Sequence, residues 1–254
     1  MNWKCAVHTI SWANYSFDRI LRDVANAGYE GIELFQHPSE CGGPEEIIRL
    51  CKLYEVTLVG IAGGSFQERC QLVRDIAKIT DTSLEDRSLP YVYCDEWRDE
   101  KAMFRDAVNS GIRVAIHPHM FKPVQNVQEF RDILSKYPQV LFLPDTAHLT
   151  IAGNNPVEAI KEYFKNLAAV HLKSWRADVG RSYQFYARGF CELGHGDVEV
   201  KAVLSELSAR GFQGWVVVEQ DSSSQPCESA IRSRQWLESE TEQLRSTRRC
   251  GDNF

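Results

Sequence analysis

The sequence predicts a closed (β/α)8 barrel, on three observations. Strand-like and helix-like segments alternate along the chain, eight candidates of each kind can be read, and 254 residues is a typical length for one such barrel. An open doubly wound sheet shares the alternation. It is disfavoured because no GxGxxG follows the first strand, and the glycines of IAGG and LGHG stand in the wrong context for a dinucleotide fingerprint.

The elements follow in order. KCAVHTI (4–10) is a strand, and SFDRILRDVANAG (16–28) a helix whose apolar residues recur three and four apart, with Ser16 placed to cap it. YEGIELF (29–35) and VTLVGIAGG (56–64) are strands on either side of PEEIIRLCKLY (44–54), a helix of the same periodicity. FQERCQLVRDIAKITD (66–81) is the third helix. LPYVYCDEW (89–97) is the fourth strand, in the least clearly marked stretch of the chain (80–97), and Cys94, Asp95 and Glu96 at its end carry no assigned role. EKAMFRDAVNSG (100–111), RVAIHPH (113–119), NVQEFRDILSKY (126–137), VLFLPDTAH (140–148), NPVEAIKEYFKN (155–166) and LAAVHLKSW (167–175) continue the alternation. VEVKAVLSELSARG (198–211), GWVVVEQD (214–221) and a last helix near 227–246 complete it. One barrel domain over 1–246 and a loose tail over 247–254 are expected.

Composition narrows the function classes. Apolar residues make up 43% and charged residues 25%, ordinary for a folded domain. The formal charge of -6, without a dense basic tract, argues against a nucleic-acid groove. No apolar run is long enough to span a membrane. Eight cysteines without a CxxC pair point to free thiols rather than a disulfide framework, and a cytoplasmic protein is expected.

Strands of a parallel barrel end on one rim, so residues distant in sequence converge there. Four late strands end in metal-ligand types: IHPH (His117, His119), PDTAH (Asp145, His148), VHLK (His171, Lys173) and VVVEQD (Glu219, Asp221). The intervals from His117 to Asp145 and from Asp145 to His171 each match one strand, helix and pair of loops. The longer step to Glu219 contains WRADVGRSYQFYARGFCELGHGD, a candidate lid. Of seven histidines, those at 8, 117, 119, 148, 171 and 195 fall at strand ends or in that loop, and only His37 stands apart. Imidazole and carboxylate together suit Mn²⁺, Zn²⁺, Co²⁺ or Mg²⁺.

These residues, with GYEGIEL, DTAHL, VHLK, LGHGD and GWVVVEQD, resemble the xylose isomerase-like TIM-barrel family, and most nearly its inosose (2-keto-myo-inositol) dehydratases. The resemblance implies a divalent ion held by Asp145, His171 and Glu219. Where the family carries a glutamate on the fifth strand this chain has His117, with Gln125 in the following loop, so either an imidazole completes the site or the fourth ligand is water. It further implies isomerisation, epimerisation or dehydration of a sugar or keto-cyclitol through an enediolate-type intermediate. The catalytic candidates are Glu219, His119, His148 and Lys173, with Asp221 as an orienting neighbour. His8, Trp12, Glu33, Trp175, Arg181, Arg188 and His195, with Tyr186, are candidate contacts to a small polyhydroxylated carbonyl substrate. A metal-dependent phosphodiesterase of the same barrel type and a catalytically lapsed sugar-binding barrel are the competing readings, and a homodimer is compatible with the exposed helices.

Overall fold

The computed structural model describes residues 2–95, 101–180, 185–221 and 223–251, with side chains described as far as 247. Eight parallel strands run β6-β5-β4-β3-β2-β1-β10-β7: β1 Lys4–His8, β2 Gly31–Leu34, β3 Thr57–Ile61, β4 Tyr91–Cys94, β5 Val114–Ile116, β6 Leu141–Phe142, β7 Val170–Leu172 and β10 Trp215–Val218. The ring closes between β6 and β7, where the Ala168 amide donates to the Phe142 carbonyl and the His171 amide to that of Pro144, each at 2.9 Å. The chain is a single (β/α)8 barrel, and all eight expected strands lie within it. A small antiparallel pair, β8 Ser174–Trp175 with β9 Phe190–Cys191, was not foreseen and braces the long loop after β7.

The helices are α1 Phe17–Asn26, α2 Gly43–Leu53, α3 Phe66–Ile79, α4 Lys101–Asn109, α5 Val127–Lys136, α6 Thr146–Ile151, α7 Pro156–Glu162, α8 Val200–Ala209 and α9 Pro226–Gly251. Several begin on side-chain caps. Ser16 accepts from the Arg19 amide ahead of α1, and Ser65 with Glu68, like Asn126 with Glu129, forms a reciprocal capping box. The last helix runs beyond the expected end near 246, to Gly251. α6 is an addition: the PDTAH segment leaves its strand at once and turns helical, with Asp145 as the N-cap.

Side chains along each strand alternate between two faces. Val92, Ile116, Phe142, Leu172 and Val218 point outward beneath the helices, where burying each contributes about 1.5–3 kcal/mol. Val59, Tyr91, Ala115, Leu143, Ala169 and Val217 fill the barrel interior as a second apolar cluster. Gly60 is required by this packing, since a Cβ there would stand 2.4 Å from the Tyr91 ring. Two residues beyond Tyr91, Ala115, Leu143, Ala169 and Val217, the inward positions become polar. Among the described residues no helix is long and apolar enough to cross a membrane.

Candidate metal centre and active site

Period-two alternation builds the site directly. Stepping by two from the interior apolar residues leads from Ala115 to His117, Leu143 to Asp145, Ala169 to His171 and Val217 to Glu219. One ligand atom from each of these four buried residues lies within 4.8 Å of all the others. His117 Nε2 is 3.8 Å and His171 Nδ1 4.0 Å from Asp145 Oδ2, while His171 Nδ1 stands 2.6 Å from Glu219 Oε2. These same four atoms are buried without a hydrogen-bond partner, the short His171–Glu219 approach being off the direction a hydrogen bond needs. Orphaned buried acceptors are costly unless something binds them. The donor set of two imidazoles and two carboxylates fits a divalent cation.

The remaining atoms of these side chains are spoken for. Asp145 Oδ1 accepts from the His148 amide at 2.8 Å, so one carboxylate both caps α6 and offers Oδ2 to the cluster. His117 Nδ1 is 3.1 Å from the Tyr93 hydroxyl. His171 Nε2 donates to Glu33 Oε2 at 2.8 Å, and the Tyr91 hydroxyl donates to the same oxygen. Glu219 Oε1 accepts from Lys173 Nζ at 2.9 Å, and that ammonium also pairs with Asp221 and lies 3.4 Å from His148 Nε2. His117 is thus the member of the four-residue cluster that stands at the end of the fifth strand. Gln125 stands just ahead of α5, its backbone N–H donating to Glu129 Oε2.

Burial and charge set the protonation states. Burial, aided by the His171 charge, holds His117 well below the usual imidazole range, which leaves it a neutral ligand. Burial likewise lowers His148, with Lys173 adding to the effect. Burial raises the Asp145 carboxyl to about 7 against the attraction of Lys173. For His171 burial favours the neutral ring, but the Glu33 and Glu219 carboxylates on either side raise it to about 10. Glu219 is held well below its ordinary range despite burial, by Lys173, His8 and His171. Lys173 stays protonated despite burial because Asp221, Glu219 and Asp145 surround it.

A cavity of about 250 Å³ opens beside the cluster, lined by His8, Phe35, Arg69, Tyr93, Asp95, His119, Lys122, Glu219 and Asp221 among others. His119 donates Nδ1–H to the Met120 carbonyl at 2.7 Å, and its ring lies 4.0 Å from that of His148. With burial lowering its pKa, His119 is a neutral imidazole beside the cavity. A larger hollow of about 460 Å³, lined by Arg113 and Leu141 among others, opens at the opposite end of the barrel and holds none of this chemistry.

The structure does not bring every expected contact together. Trp12 is buried in the core with its indole NH on Asp23 at 3.2 Å, because α1 packs over it. Glu33 is fully buried, turned to Tyr91 and His171 rather than to the cavity. Trp175 donates its NH to the Tyr186 carbonyl at 2.7 Å and thus pins the long loop. Arg188 lies exposed over the Phe185 ring, and His195 sits exposed in a turn. Arg181 and Glu96 lie outside the described residues. Of the substrate-contact candidates, His8 borders the cavity. Sequence reasoning missed Tyr91 and Tyr93 and gave Asp95 no role, although YVYCD alternates them on the inward face. It also missed Arg69 and Lys122, which reach the cavity from α3 and from the loop after β5 with no comparable signal.

Comparisons with known proteins agree with this picture. The family model of the xylose isomerase-like TIM barrel matches residues 95–240. An inosose dehydratase of Clostridium botulinum (strain Alaska E43 / Type E3) is 31% identical over 145 residues, covering 52% of this chain and 49% of that one. The chain thus spans about half the length of the clostridial relatives it matches. An inosose dehydratase of Lactiplantibacillus plantarum is 23% identical over 288 residues, covering 92% and 95%. Among solved structures, the IolI protein with a binding zinc atom superposes with a TM-score of 0.66 at 15% identity, covering 96% of this chain and 98% of that one, a likeness of fold.

Proposed function

The chain belongs to the xylose isomerase-like TIM-barrel family, and from that premise we propose that it is a divalent-metal-dependent enzyme that eliminates water from a keto-cyclitol such as inosose. The observation that carries the proposal is the convergence of four orphaned ligand atoms at the cavity floor, beside one neutral imidazole, His119. A bound ion in His117, Asp145, His171 and Glu219 supplies positive charge to a substrate carbonyl and its neighbouring hydroxyl, lowering the cost of negative charge on oxygen.

The chain's own residues divide the remaining work. Both oxygens of Glu219 are engaged, one in the cluster and one on Lys173, so the free base is His119. Its Nε2 takes the proton alpha to the carbonyl while Nδ1 stays fixed on Met120. The resulting enediolate expels the hydroxyl on the next carbon. Returning the proton from Nε2 to that hydroxyl lets it depart as water and resets the imidazole. Lys173, protonated and anchored by Asp221, adds positive charge near the developing oxyanion. His8 and Phe35, with ring centres 5.6 Å apart, form one wall of the cavity. The other carboxylates lining the cavity, Asp95 and Asp221, are each paired with an ammonium, Lys122 and Lys173 respectively, which favours elimination over two-base epimerisation.

The test is incubation with inosose and Mn²⁺, Co²⁺ or Zn²⁺ in deuterated water. Conversion to a product lighter by one water supports the proposal. Inversion at a carbinol carbon with solvent deuterium incorporated would instead make the protein an epimerase. Cytoplasmic residence and a homodimeric state belong to the same proposal. Free cysteines, buried at 5, 41, 51, 70 and 94, support the first.

A further inference from the structure

Glu33 is a fully buried carboxylate that does not border the substrate cavity, and an ionised group in such a place is costly unless it is matched. Its match is His171. Oε2 accepts the Nε2–H of that ring at 2.8 Å from the side opposite the metal cluster, and an imidazole bonded through one nitrogen has the direction of the other fixed. The Tyr91 hydroxyl donates to the same oxygen and locks the carboxylate in turn. Tyr91 reaches that position because Gly60 on the neighbouring strand leaves room for its ring. The register of β2 against β3 shifts between Ile32 and Glu33 at this point.

We propose that Glu33 is a positioning residue for the metal centre, holding the His171 ring so that Nδ1 faces the ion, with Tyr91 orienting Glu33. It touches no substrate. The inference rests on the metal reading above and adds a residue from the second strand to a centre whose ligands all come from the fifth strand onward.

Zinc affinity of the whole protein, read by competition with a chromophoric chelator, tests it, together with the absorption spectrum of the Co²⁺-loaded form. Glu33→Ala leaves the His171 Nε2–H without its acceptor and should weaken zinc binding about 10–100-fold and shift the Co²⁺ bands. Glu33→Gln keeps volume and an acceptor oxygen, so it should fold as the parent does and fall between parent and alanine variant. Parent-like affinity and spectrum in Glu33→Gln together with parent-like binding in a folded Glu33→Ala would overturn the role. If the alanine variant does not fold, the glutamine variant decides: weakened binding supports the proposal and unchanged binding sinks it. A parent that binds no zinc or cobalt would fail the metal reading itself, whereas a tight parent with unaffected variants fails the Glu33 role alone.

Discussion

Asp145 does two jobs with one carboxylate, and they can be separated. Oδ1 caps α6 through the His148 amide, and asparagine caps a helix about as well as aspartate. Oδ2 belongs to the cluster, where an amide is a poor substitute for a charged ligand. Asp145→Asn should therefore lose stoichiometric metal, measured by elemental mass spectrometry, while the metal-free variant melts no lower than the metal-free parent. The second part follows from burial, which raises the Asp145 carboxyl to about 7, so its ionised form costs stability at pH 8 and the variant removes that cost. A metal-free variant melting far below the metal-free parent would mean that the Asp145 carboxylate itself stabilises the fold. His119→Asn makes the complementary case. It should keep the metal and lose about 10²–10⁴-fold in turnover, as removal of a proton-transferring group does; activity within a few fold of the parent would take His119 out of the chemistry.

At the scale of elements, what could be read depended on whether a strand fixed the residue. His117, Asp145, His171 and Glu219 were legible because each ends a strand, and the period of two leaves one direction for its side chain. The same rule applied to YVYCD would have put Tyr91, Tyr93 and Asp95 inside the barrel; the ill-marked boundaries around β4 hid it. The period of two also sets Glu33 facing inward, level with His8 on β1, but that it turns to Tyr91 and His171 depends on tertiary packing, which no local pattern encodes. The long loop after β7 does reach the site, where Tyr186 and Phe190 pack against the His148 ring and Phe190 lies beneath the Lys173 ammonium, but the β8–β9 pair and the Trp175 indole leave Arg188 and His195 exposed. α6 escaped notice because an N-cap aspartate at a strand end looks like the strand's last residue. The β3–β4 contact gives a direct check on this packing. In Gly60→Ala the new methyl meets the Tyr91 ring, so overpacking of about 1–3 kcal/mol is expected as a lower urea midpoint at unchanged slope. An unchanged midpoint would mean that the ring moves aside freely.

For the whole molecule, metal binding, pH and stability form one linked equilibrium. In the metal-free protein a proton on His171 stands between Glu33 and Glu219, and those carboxylates raise the ring to about 10 although burial opposes it. Because this group is raised on folding, the stability it contributes is fully present below its ordinary value of 6.5 and is lost as the pH climbs through about 10. Glu33 and Glu219 are lowered, so theirs is present above 4.5 and lost on acidification. A divalent ion bound at Nδ1 would replace the His171 proton and so compete with it. Zinc affinity should then rise about tenfold per pH unit between 7 and 9, for one displaced proton, and more steeply below about 7 where Asp145 also holds one. His117 adds nothing to this slope, being neutral throughout. At a free metal concentration of 100 times Kd the stabilisation is about 2.7 kcal/mol, roughly 5–10 °C in melting temperature for a chain of this size. The gap between zinc-loaded and metal-free melting temperatures at fixed free zinc should therefore widen from pH 6.5 to 9, because the metal-free form weakens just as affinity climbs. Calorimetric melts across that range would show it, and a gap that stays constant or narrows would mean that His171 is not the group the metal deprotonates.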